Sequence, residues 1–167
     1  MIRLAQTEHL KAINNIYNQA VKDGLRTAHT DPLSIEERKR WFRNHSATLF
    51  PVFIYELDND VIGWLSISPY RSDRQALDDI VEMSYYVDYN HHGEGIGTQL
   101  MEYGLDFCRS APYRIVVAIL IESNKASIKL LEKFDFVEGG RIPDAIHYQG
   151  QYQDHLYLYK KLNPATQ

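Results

Sequence analysis

The sequence predicts a single α/β domain, of the α+β kind, in which a mixed central β-sheet carries helices on both faces. The first observation is the order of apolar periodicities along the chain, which reads β-α-α-β-β-β-α-β-α-β-β. The second is size, since 167 residues with 44% hydrophobic side chains suit one ordinary domain. The third is the lack of any repeat or low-complexity segment. We therefore expect one domain over residues 1–162 and a frayed tail, NPATQ, over residues 163–167.

Local signals define the elements of the N-terminal half. Thr7 is the expected N-cap of the first helix, and Gly24 is its expected end. Ser34 and Glu37 have the spacing of a capping box, which predicts the start of the second helix. The segment DND at 58–60 is a hairpin signal. The elements are, in order, the strand MIRLA, a helix with Leu10, Ile13, Ile16, Tyr17 and Val21 at helical spacing, the helix SIEERKRWF, and the strands PVFIYEL and VIGWLSIS.

The C-terminal half contains a strand–loop–helix–strand unit over residues 80–121. Its glycine-rich loop follows a strand, and α/β proteins bind ligands at the carboxyl ends of their strands. The polar residues 70–79 precede this unit and predict a loop. The elements are the strand IVEMSYYV, a helix carrying Ile96, Leu100, Gly104, Phe107 and Cys108 on one side, the buried strand YRIVVAILI, the helix NKASIKLLEKF, and the strands FVEGGRI and YQDHLYLYKKL around the turn YQGQ.

Composition excludes several classes of protein. A formal net charge of -4 and a pI of about 5.9 argue against nucleic acid as a partner. There is neither an 18-residue apolar run nor a signal-peptide core, so we expect a soluble cytoplasmic protein without a membrane partner. Cys108 is the single cysteine, which excludes an internal disulfide and a thiolate zinc cluster. No metal-ligand spacing is present, and we interpret Cys108 as a core residue.

The segment NHHGEGIGTQLM, residues 90–101, is the strongest motif. A Walker A loop would need a lysine after Gly97, and a dinucleotide fingerprint would need glycine in place of Thr98. A third motif, [QR]-x-x-G-x-[GA], caps a helix and holds a pyrophosphate with successive N–H groups. Gly95 and Gly97 satisfy its glycines. A plain connector between a strand and a helix remains the alternative.

In its wider context this loop resembles that of the GCN5-related N-acetyltransferase (GNAT) superfamily, in the branch of phosphinothricin and L-amino acid N-acetyltransferases. The segments SPYRS, VEMSYYVDYNHHGEGIGTQLM, ESNKASIKLLEKFDFVEGG and YQGQYQDHLYLYKKL are similar to that branch, in the same order. The resemblance implies acetyl-CoA as cosubstrate without a metal. It also implies a homodimer, and direct acetyl transfer to the α-amino group of a small amino acid or analogue such as phosphinothricin or methionine sulfone.

The resemblance implies two catalytic positions on the strand before the loop. Glu82 matches the carboxylate that serves as base, and the backbone N–H of Val87 would hold the oxyanion. Strand alternation places Glu82, Ser84 and Tyr86 on one face of the sheet. Desolvation there would raise the pKa of Glu82 towards neutrality, which suits a base. The alternative for Glu82 is a structural ion pair with an arginine of the preceding loop.

The predicted cofactor contacts lie on this strand, the glycine loop and the following helix. His92 replaces the usual Gln or Arg, and Glu94 replaces a common Lys or Arg, so we expect Glu94 to point to solvent. Asn124 matches the residue that bonds the CoA arm, with a plain N-cap as the alternative. The full set is Tyr85, Tyr86, Val87, His92, Gly93, Glu94, Gly95, Ile96, Gly97, Thr98, Asn124, Ser127 and Lys133.

The substrate site is predicted from charge. An amino acid carboxylate suits the bidentate fork of an arginine, for which Arg71 is the first choice and Arg74 the second. His147 is expected near the same site, and Leu131 stands where relatives have a Tyr or His that protonates the thiolate. Two alternatives stay open: another amine, such as a polyamine, an aminoglycoside or a protein N-terminus, or a CoA-binding module without catalysis.

Overall fold

The computed structural model describes residues 1–162, so the predicted tail over residues 163–167 lies outside the described residues. The order of helices and strands in the described part confirms the predicted order. Short 3₁₀ turns at Thr7–His9, Gln75–Leu77 and Tyr89–His91 join them. The elements are β1 Ile2–Leu4, α1 Leu10–Asp23, α2 Ile35–Arg43, β2 Val52–Leu57, β3 Asp60–Pro69, β4 Ile80–Val87, α3 Ile96–Ser110, β5 Ile115–Ile121, α4 Lys125–Lys133, β6 Val137–Tyr148 and β7 Gln151–Lys161.

The strands form one mixed sheet in the order β1-β2-β3-β4-β5-β7-β6. The β4–β5 pair is parallel, and the other five neighbouring pairs are antiparallel. A parallel pair needs a crossover connection, which α3 supplies. The last strand, β7, lies between β5 and β6, so the C-terminal hairpin extends the sheet beyond β5.

Helices cover both faces of the sheet, as predicted. On one face α1 packs on β2 and β3, with Trp64 of β3 almost fully buried beneath it. On the other face α3 contributes the centre of a larger core that includes Met83 of β4 and Val116 of β5. Leu131 of α4 belongs to that second core and is 1% exposed.

The alternation of β4 is confirmed. Tyr86 lies opposite Trp64 in the register and contacts Tyr17 of α1, with ring centroids 4.9 Å apart. Met83 and Tyr85 instead join the core on the α3 face. Glu82 therefore belongs to the face that α1 and α2 cover, because it is an even number of residues from Tyr86.

Most of the predicted element ends are confirmed. Glu37 N donates to Ser34 Oγ at 3.3 Å and Ser34 N donates to Glu37 Oε2 at 2.8 Å, which forms the capping box. Gly24 ends α1 with a φ of 72°. The prediction of Thr7 as N-cap is wrong, because a 3₁₀ turn precedes α1 and Gln6 takes the cap position. Gln6 N donates to His9 Nδ1 at 2.8 Å, which stabilises that earlier start.

Cys108 is fully buried in the α3 core, which confirms its interpretation as a core residue. Across residues 1–162, no helix combines the length and the apolar character needed to cross a membrane. The same residues contain no group of three or more His, Cys, Asp or Glu side chains placed to hold a metal ion.

Candidate active site

An opening between β4 and β5 forms the centre of the candidate site. The two strands pair only from Ile80 with Ile115 to Glu82 with Val117. Beyond that point β4 continues to Val87 along β3, and β5 continues to Ile121 along β7. β4 stays paired with β3 and β5 stays paired with β7, while β4 and β5 separate from each other. The sheet therefore opens as a wedge towards the glycine loop.

The ladder between β3 and β4 determines which backbone groups face this opening. At one end of the ladder Asp88 N donates to Ile62 O at 2.9 Å, and at the other end Tyr70 N donates to Ile80 O. Both bonds involve even-numbered residues. Bonded and non-bonded pairs alternate in an antiparallel ladder, so the even-numbered residues of β4 bond β3. The N–H groups of Tyr85 and Val87 therefore point into the opening.

A cavity of about 770 Å³ occupies the wedge. It reaches α1 on one face of the sheet and α4 on the other, so it passes through the sheet. Its walls combine strand backbone, loop glycines and two helix ends. The lining residues are Ala20, Asp23 and Arg26 near α1, Met83 to Val87 of β4, Tyr89, His91, His92, Gly93, Gly95 and Ile96 to Thr98 around the loop, Ala118 to Leu120 of β5, and Ser123 to Ser127, Leu130 and Leu131 around α4.

The glycine loop presents the N-terminus of α3 to this cavity. Gly93 and Gly95 have φ values of 86° and 80°, a region that favours glycine. Gly95 is the N-cap and supplies no side chain, and the bond from Gln99 N to Gly95 O opens the helix. The N–H groups of residues 96–98 therefore have no partner within the helix. Such an end attracts anions because its N–H groups and the helix dipole add together.

The two unusual loop side chains have separate environments. His92 Nε2 lies 3.0 Å from the carbonyl oxygen of Val87, so this nitrogen carries a proton and donates it to the end of β4. Glu94 is not among the lining residues, its side chain is 51% exposed, and Oε2 lies 3.2 Å from His91 Nδ1. Glu94 points to solvent, as expected, and its carboxylate is kept away from the helix end.

The N-terminus of α4 faces the cavity, and the residues of the helix after Leu131 lie outside the lining. Asn124 Oδ1 accepts a hydrogen bond from Ser127 N at 3.3 Å, so the N-cap alternative is observed. Asn124, Lys125 and Ser127 line the cavity. The prediction of Lys133 as a cofactor contact is not supported, because that lysine occupies the opposite end of α4, outside the lining.

Glu82 is half-buried and lies one residue before the lining stretch of β4. Burial raises the pKa of its carboxyl above the ordinary range. No ion pair joins Glu82 to Arg71 or Arg74 in the described part of the chain, so the predicted structural pair is not observed. The carboxyl is thus partly desolvated without a neutralising cation.

The predicted substrate residues lie outside the cavity. Arg71 is exposed in the loop after β3, and Arg74 is exposed with Nη1 donating to Asp73 O at 2.9 Å. His147 is exposed and stacks on Tyr152, with ring centroids 4.5 Å apart. Adjacent residues of a strand point to opposite faces, so the neighbour of His147 takes the inward position.

That neighbour is Tyr148. Its ring lies against Gly24 at the end of α1, where an added Cβ would be 2.8 Å from Tyr148 Cε1. The closing hairpin therefore reaches the end of α1 beside the cavity. Asp23 and Arg26 were not predicted from the sequence, since a charged pair near a helix end forms no motif. Arg26 Nε donates to Asp23 Oδ2 at 2.7 Å.

A polar cluster, Tyr17–Thr27–His29, lies on the α1 side of the sheet. The Tyr17 hydroxyl is 2.7 Å from Thr27 Oγ1 and also contacts His29 Nδ1. Thr30 takes no part in this cluster, because it is exposed and donates to Asp31.

Leu131 lines the cavity and offers no proton. Tyr85 lines the same side, and its hydroxyl donates a long 3.5 Å bond to the carbonyl oxygen of Ser127. Burial raises the pKa of Tyr85 to about 12, so the hydroxyl stays protonated at neutral pH. Tyr85 is therefore a hydrogen-bond donor on the face that Leu131 leaves apolar.

Residues 11–136 match the family model described as the acetyltransferase (GNAT) family. The crystal structure of an N-acetyltransferase from Staphylococcus aureus Mu50 superposes with a TM-score of 0.92, at 32% identity, covering 98% of both chains. The L-amino acid N-acyltransferase MnaT of Escherichia coli strain K12 is 28% identical over 99% of this chain and 96% of its own.

A further similarity includes a bound cosubstrate. The GNAT superfamily phosphinothricin acetyltransferase of Sinorhizobium meliloti, solved in complex with AcCoA, superposes with a TM-score of 0.91. It is 25% identical to this chain, and the match covers 97% of this chain and 88% of that one. Together these similarities agree with the fold.

The double position of Asn124, as a helix cap and as a cavity wall, can be separated by substitution. Asn124→Ser keeps an N-cap oxygen but removes the amide NH₂ group, whereas Asn124→Ala removes both. We expect Asn124→Ala to lower the free energy of unfolding by about 1 kcal/mol and Asn124→Ser to leave it close to wild type. Both should weaken acetyl-CoA binding, measured by calorimetry. If Asn124→Ser bound acetyl-CoA as tightly as wild type, Asn124 would act only as a helix cap.

Proposed function

The chain belongs to the acetyltransferase (GNAT) family, and on that premise we propose that it transfers the acetyl group of acetyl-CoA to the α-amino group of a small amino acid or analogue. One observation carries this proposal: a cavity through the sheet joins an anion-binding helix end to the strand that holds Glu82. A long cosubstrate can enter from one side while an amine approaches from the other face.

The pyrophosphate of acetyl-CoA would bind the loop from His92 to Thr98, where the first N–H groups of α3 are unpaired within the helix. Its pantetheine arm would then follow β4 towards Glu82, with Tyr85 and Val87 offering backbone N–H groups. The N–H of Val87 is assigned to the oxyanion, because a donor already directed into the opening needs no reorganisation as charge develops. Tyr86 and Ser127 contribute walls.

The reaction requires an amine without its extra proton. An α-amino group has a pKa of about 8, so a moderate base suffices. Glu82 would accept that proton, directly or through water, and the raised pKa of its carboxyl suits the task. The nitrogen then attacks the thioester carbon and the C–N bond forms. The C–S bond breaks, CoA leaves as the thiolate, and the nitrogen gives its second proton to water to become the neutral amide. No acyl-enzyme is required.

The departing thiolate would take a hydrogen bond from the Tyr85 hydroxyl, because Leu131 cannot donate one. The hydroxyl is directed to the Ser127 carbonyl by a 3.5 Å bond, which is long enough to be exchanged easily. The thiolate later takes its proton from solvent.

Arg71 is our first choice for binding the substrate carboxylate, and Arg74 is the second. Pro69 lies opposite Val81 in the register, so the loop that follows it begins beside Glu82. Arg71 lies two residues after Pro69. Its side chain can reach a substrate that extends from the opening towards the N-terminal end of β4. His147 would approach the substrate only if the β6–β7 hairpin moved. We therefore keep it as a peripheral substrate contact.

The choice of an amino acid as acceptor rests on the similar proteins and on the positive charge of Arg71. An L-amino acid N-acyltransferase and a phosphinothricin acetyltransferase are among the similar proteins. The polar Tyr17–Thr27–His29 cluster favours an acceptor with a polar side chain. A polyamine, an aminoglycoside or a protein N-terminus is the alternative acceptor. A CoA-binding module without catalysis is less favoured, since it would not need a partly desolvated Glu82.

We also propose one catalytic domain over residues 1–162, a cytoplasmic location and a homodimer. The edge strand β6 supports the homodimer. Val137 and Ile142 are 51% and 50% exposed on it, and a second copy would cover these apolar side chains. Light scattering of the purified protein measures this directly.

Glu82→Gln should lower kcat by about 10²-fold to 10⁴-fold, because the amide cannot accept the proton of the amine. The Kd for acetyl-CoA should stay unchanged, since Glu82 lies outside the cavity lining. The matched control is Glu132→Gln at an exposed position of α4. Thiol release over a panel of amines gives the rate, and an unchanged kcat in Glu82→Gln would refute the assigned base.

Arg71→Ala should raise the KM for methionine sulfone by about 10-fold to 100-fold, the range of a charge-assisted bidentate contact. Arg74→Ala tests the second choice in the same assay and should have the smaller effect. The test compares methionine sulfone with the corresponding amine that lacks the carboxylate. Arg71→Ala should affect only the carboxylate-bearing substrate, and equal losses on both would argue against a carboxylate contact.

Tyr85→Phe should lower kcat with acetyl-CoA by about 10-fold, which corresponds to one hydrogen bond of roughly 1.4 kcal/mol. An acetyl donor with a more acidic thiol needs less stabilisation of its leaving group. With an aryl thioester, the difference between Tyr85→Phe and wild type should therefore shrink. The same 10-fold loss with both donors would show that the Tyr85 hydroxyl does not act on the thiolate.

A further inference from the structure

His45, just after α2, has both of its ring nitrogens engaged. Nδ1 lies 3.0 Å from the carbonyl oxygen of Trp41, and Nε2 lies 3.2 Å from the hydroxyl of Ser68. A carbonyl oxygen can only accept, so Nδ1 carries the proton. Burial lowers the pKa of His45 more than the hydrogen bond to Trp41 raises it, and the Arg38 charge lowers it further, which favours the neutral ring at pH 7. Nε2 therefore holds a lone pair.

This assignment fixes the direction of the Ser68 hydroxyl. A lone pair on Nε2 can only accept, so Ser68 Oγ donates its single proton to His45. Whatever else approaches Ser68 Oγ then meets oxygen lone pairs. The tautomer of one ring thus determines the polarity of a hydroxyl on the neighbouring strand.

Ser68 is the register partner of Glu82. Both residues belong to the bonded pairs of the β3–β4 ladder, so their side chains lie on the same face with Cβ atoms about 5 Å apart. That separation allows the Ser68 oxygen to reach the Glu82 carboxyl. The next pair along the same face is Ser66 with Ser84, which carries no charge.

The charged and titratable groups around this pair are few in the described part of the chain. Arg38 of α2 is directed onto the rings of Tyr17, Trp41 and Trp64, at 4.6, 4.6 and 5.4 Å from their centroids. Tyr86 is the titratable neighbour of Glu82 on its own strand. Burial is the main cause that raises the pKa of that phenol, and the charge of Glu82 adds a smaller contribution. On the β5 side Glu82 meets Val117 in the register.

We propose that His45 is a positioning residue for the base: it holds the Ser68 hydroxyl so that only lone pairs face Glu82, which favours the protonated carboxyl. This inference rests on the assignment of Glu82 as base. The arrangement makes the carboxyl a stronger acceptor for a proton, because its ionised form meets a repulsive oxygen instead of a donor. A stronger base removes the proton of an ammonium more readily near neutral pH.

A variant without the Nε2 acceptor should have a lower pKa at Glu82. In His45→Phe the aromatic ring still packs on Trp41, but Nε2 is gone. The Ser68 hydroxyl is then free to turn and donate to the Glu82 carboxylate. A hydrogen bond to the ionised form lowers its pKa. Glu82 would then ionise at lower pH and become a weaker base.

The test is a titration of the Glu82 carboxyl by NMR in protein labelled with ¹³C at glutamate, with Glu82→Gln to assign the signal. Relative to wild type, His45→Phe should lower the titration midpoint by about one to two pH units, the size of a hydrogen bond to a charged group. His45→Gln keeps an amide oxygen that can accept from Ser68, so its midpoint should lie between those of His45→Phe and wild type.

The Ser68→Ala background separates a positioning effect from general disturbance. If His45 acts through Ser68, adding His45→Phe to Ser68→Ala should move the midpoint no further. An unchanged midpoint in His45→Phe, or a full shift that persists without Ser68, would overturn the proposal. The titration does not need turnover, so it stays informative even if Glu82 proves not to be the catalytic base.

The pH profile of kcat/KM supplies the second readout. In His45→Phe the acidic limb should move to lower pH in parallel with the titration midpoint, while the plateau rate falls. A lower plateau with an unmoved acidic limb would indicate a structural role for His45 and count against the proposal.

Discussion

The unequal pairing of β4 is the constraint on which the rest of the structure depends. The strand bonds β3 along its whole length but bonds β5 over only three registers, from Ile80 to Glu82. A strand that loses one neighbour and keeps the other must expose backbone donors on the free side, and here they face a cavity and not bulk solvent. The glycine loop and the N-termini of α3 and α4 lie around that opening. The groups proposed for cosubstrate binding and for catalysis therefore depend on the same break in strand pairing.

The opening also divides the chemistry between the two faces of the sheet. On the α3 and α4 side the walls are apolar, with Leu130, Leu131 and Met83 beside the helix ends. On the α1 and α2 side they are polar and aromatic, and Arg38 is 2% exposed among three aromatic rings. Those rings compensate part of the desolvation of the guanidinium. One face thus suits a long cosubstrate and the other an acceptor.

The sequence predicted what depends on neighbours along the chain. The Ser34–Glu37 box, the alternation of β4 and the glycine-led start of α3 are local features, and the structure has them where they were expected. The unsupported and missed site residues depend on packing between elements. The sequence does not tell which residues of α4 face the cavity, so Lys133 was predicted and Lys125 was not, and no local signal places Arg26 in the wall.

The position of β7 makes the centre of the sheet depend on the last described strand. β5 is the most apolar strand, and beyond Val117 its only strand neighbour in residues 1–162 is β7, which comes last among the described elements. Without β7, β5 would be a bare apolar edge of the kind that recruits other chains. A chain shortened before β7 would therefore lose one wall of the cavity and gain an aggregation-prone edge together.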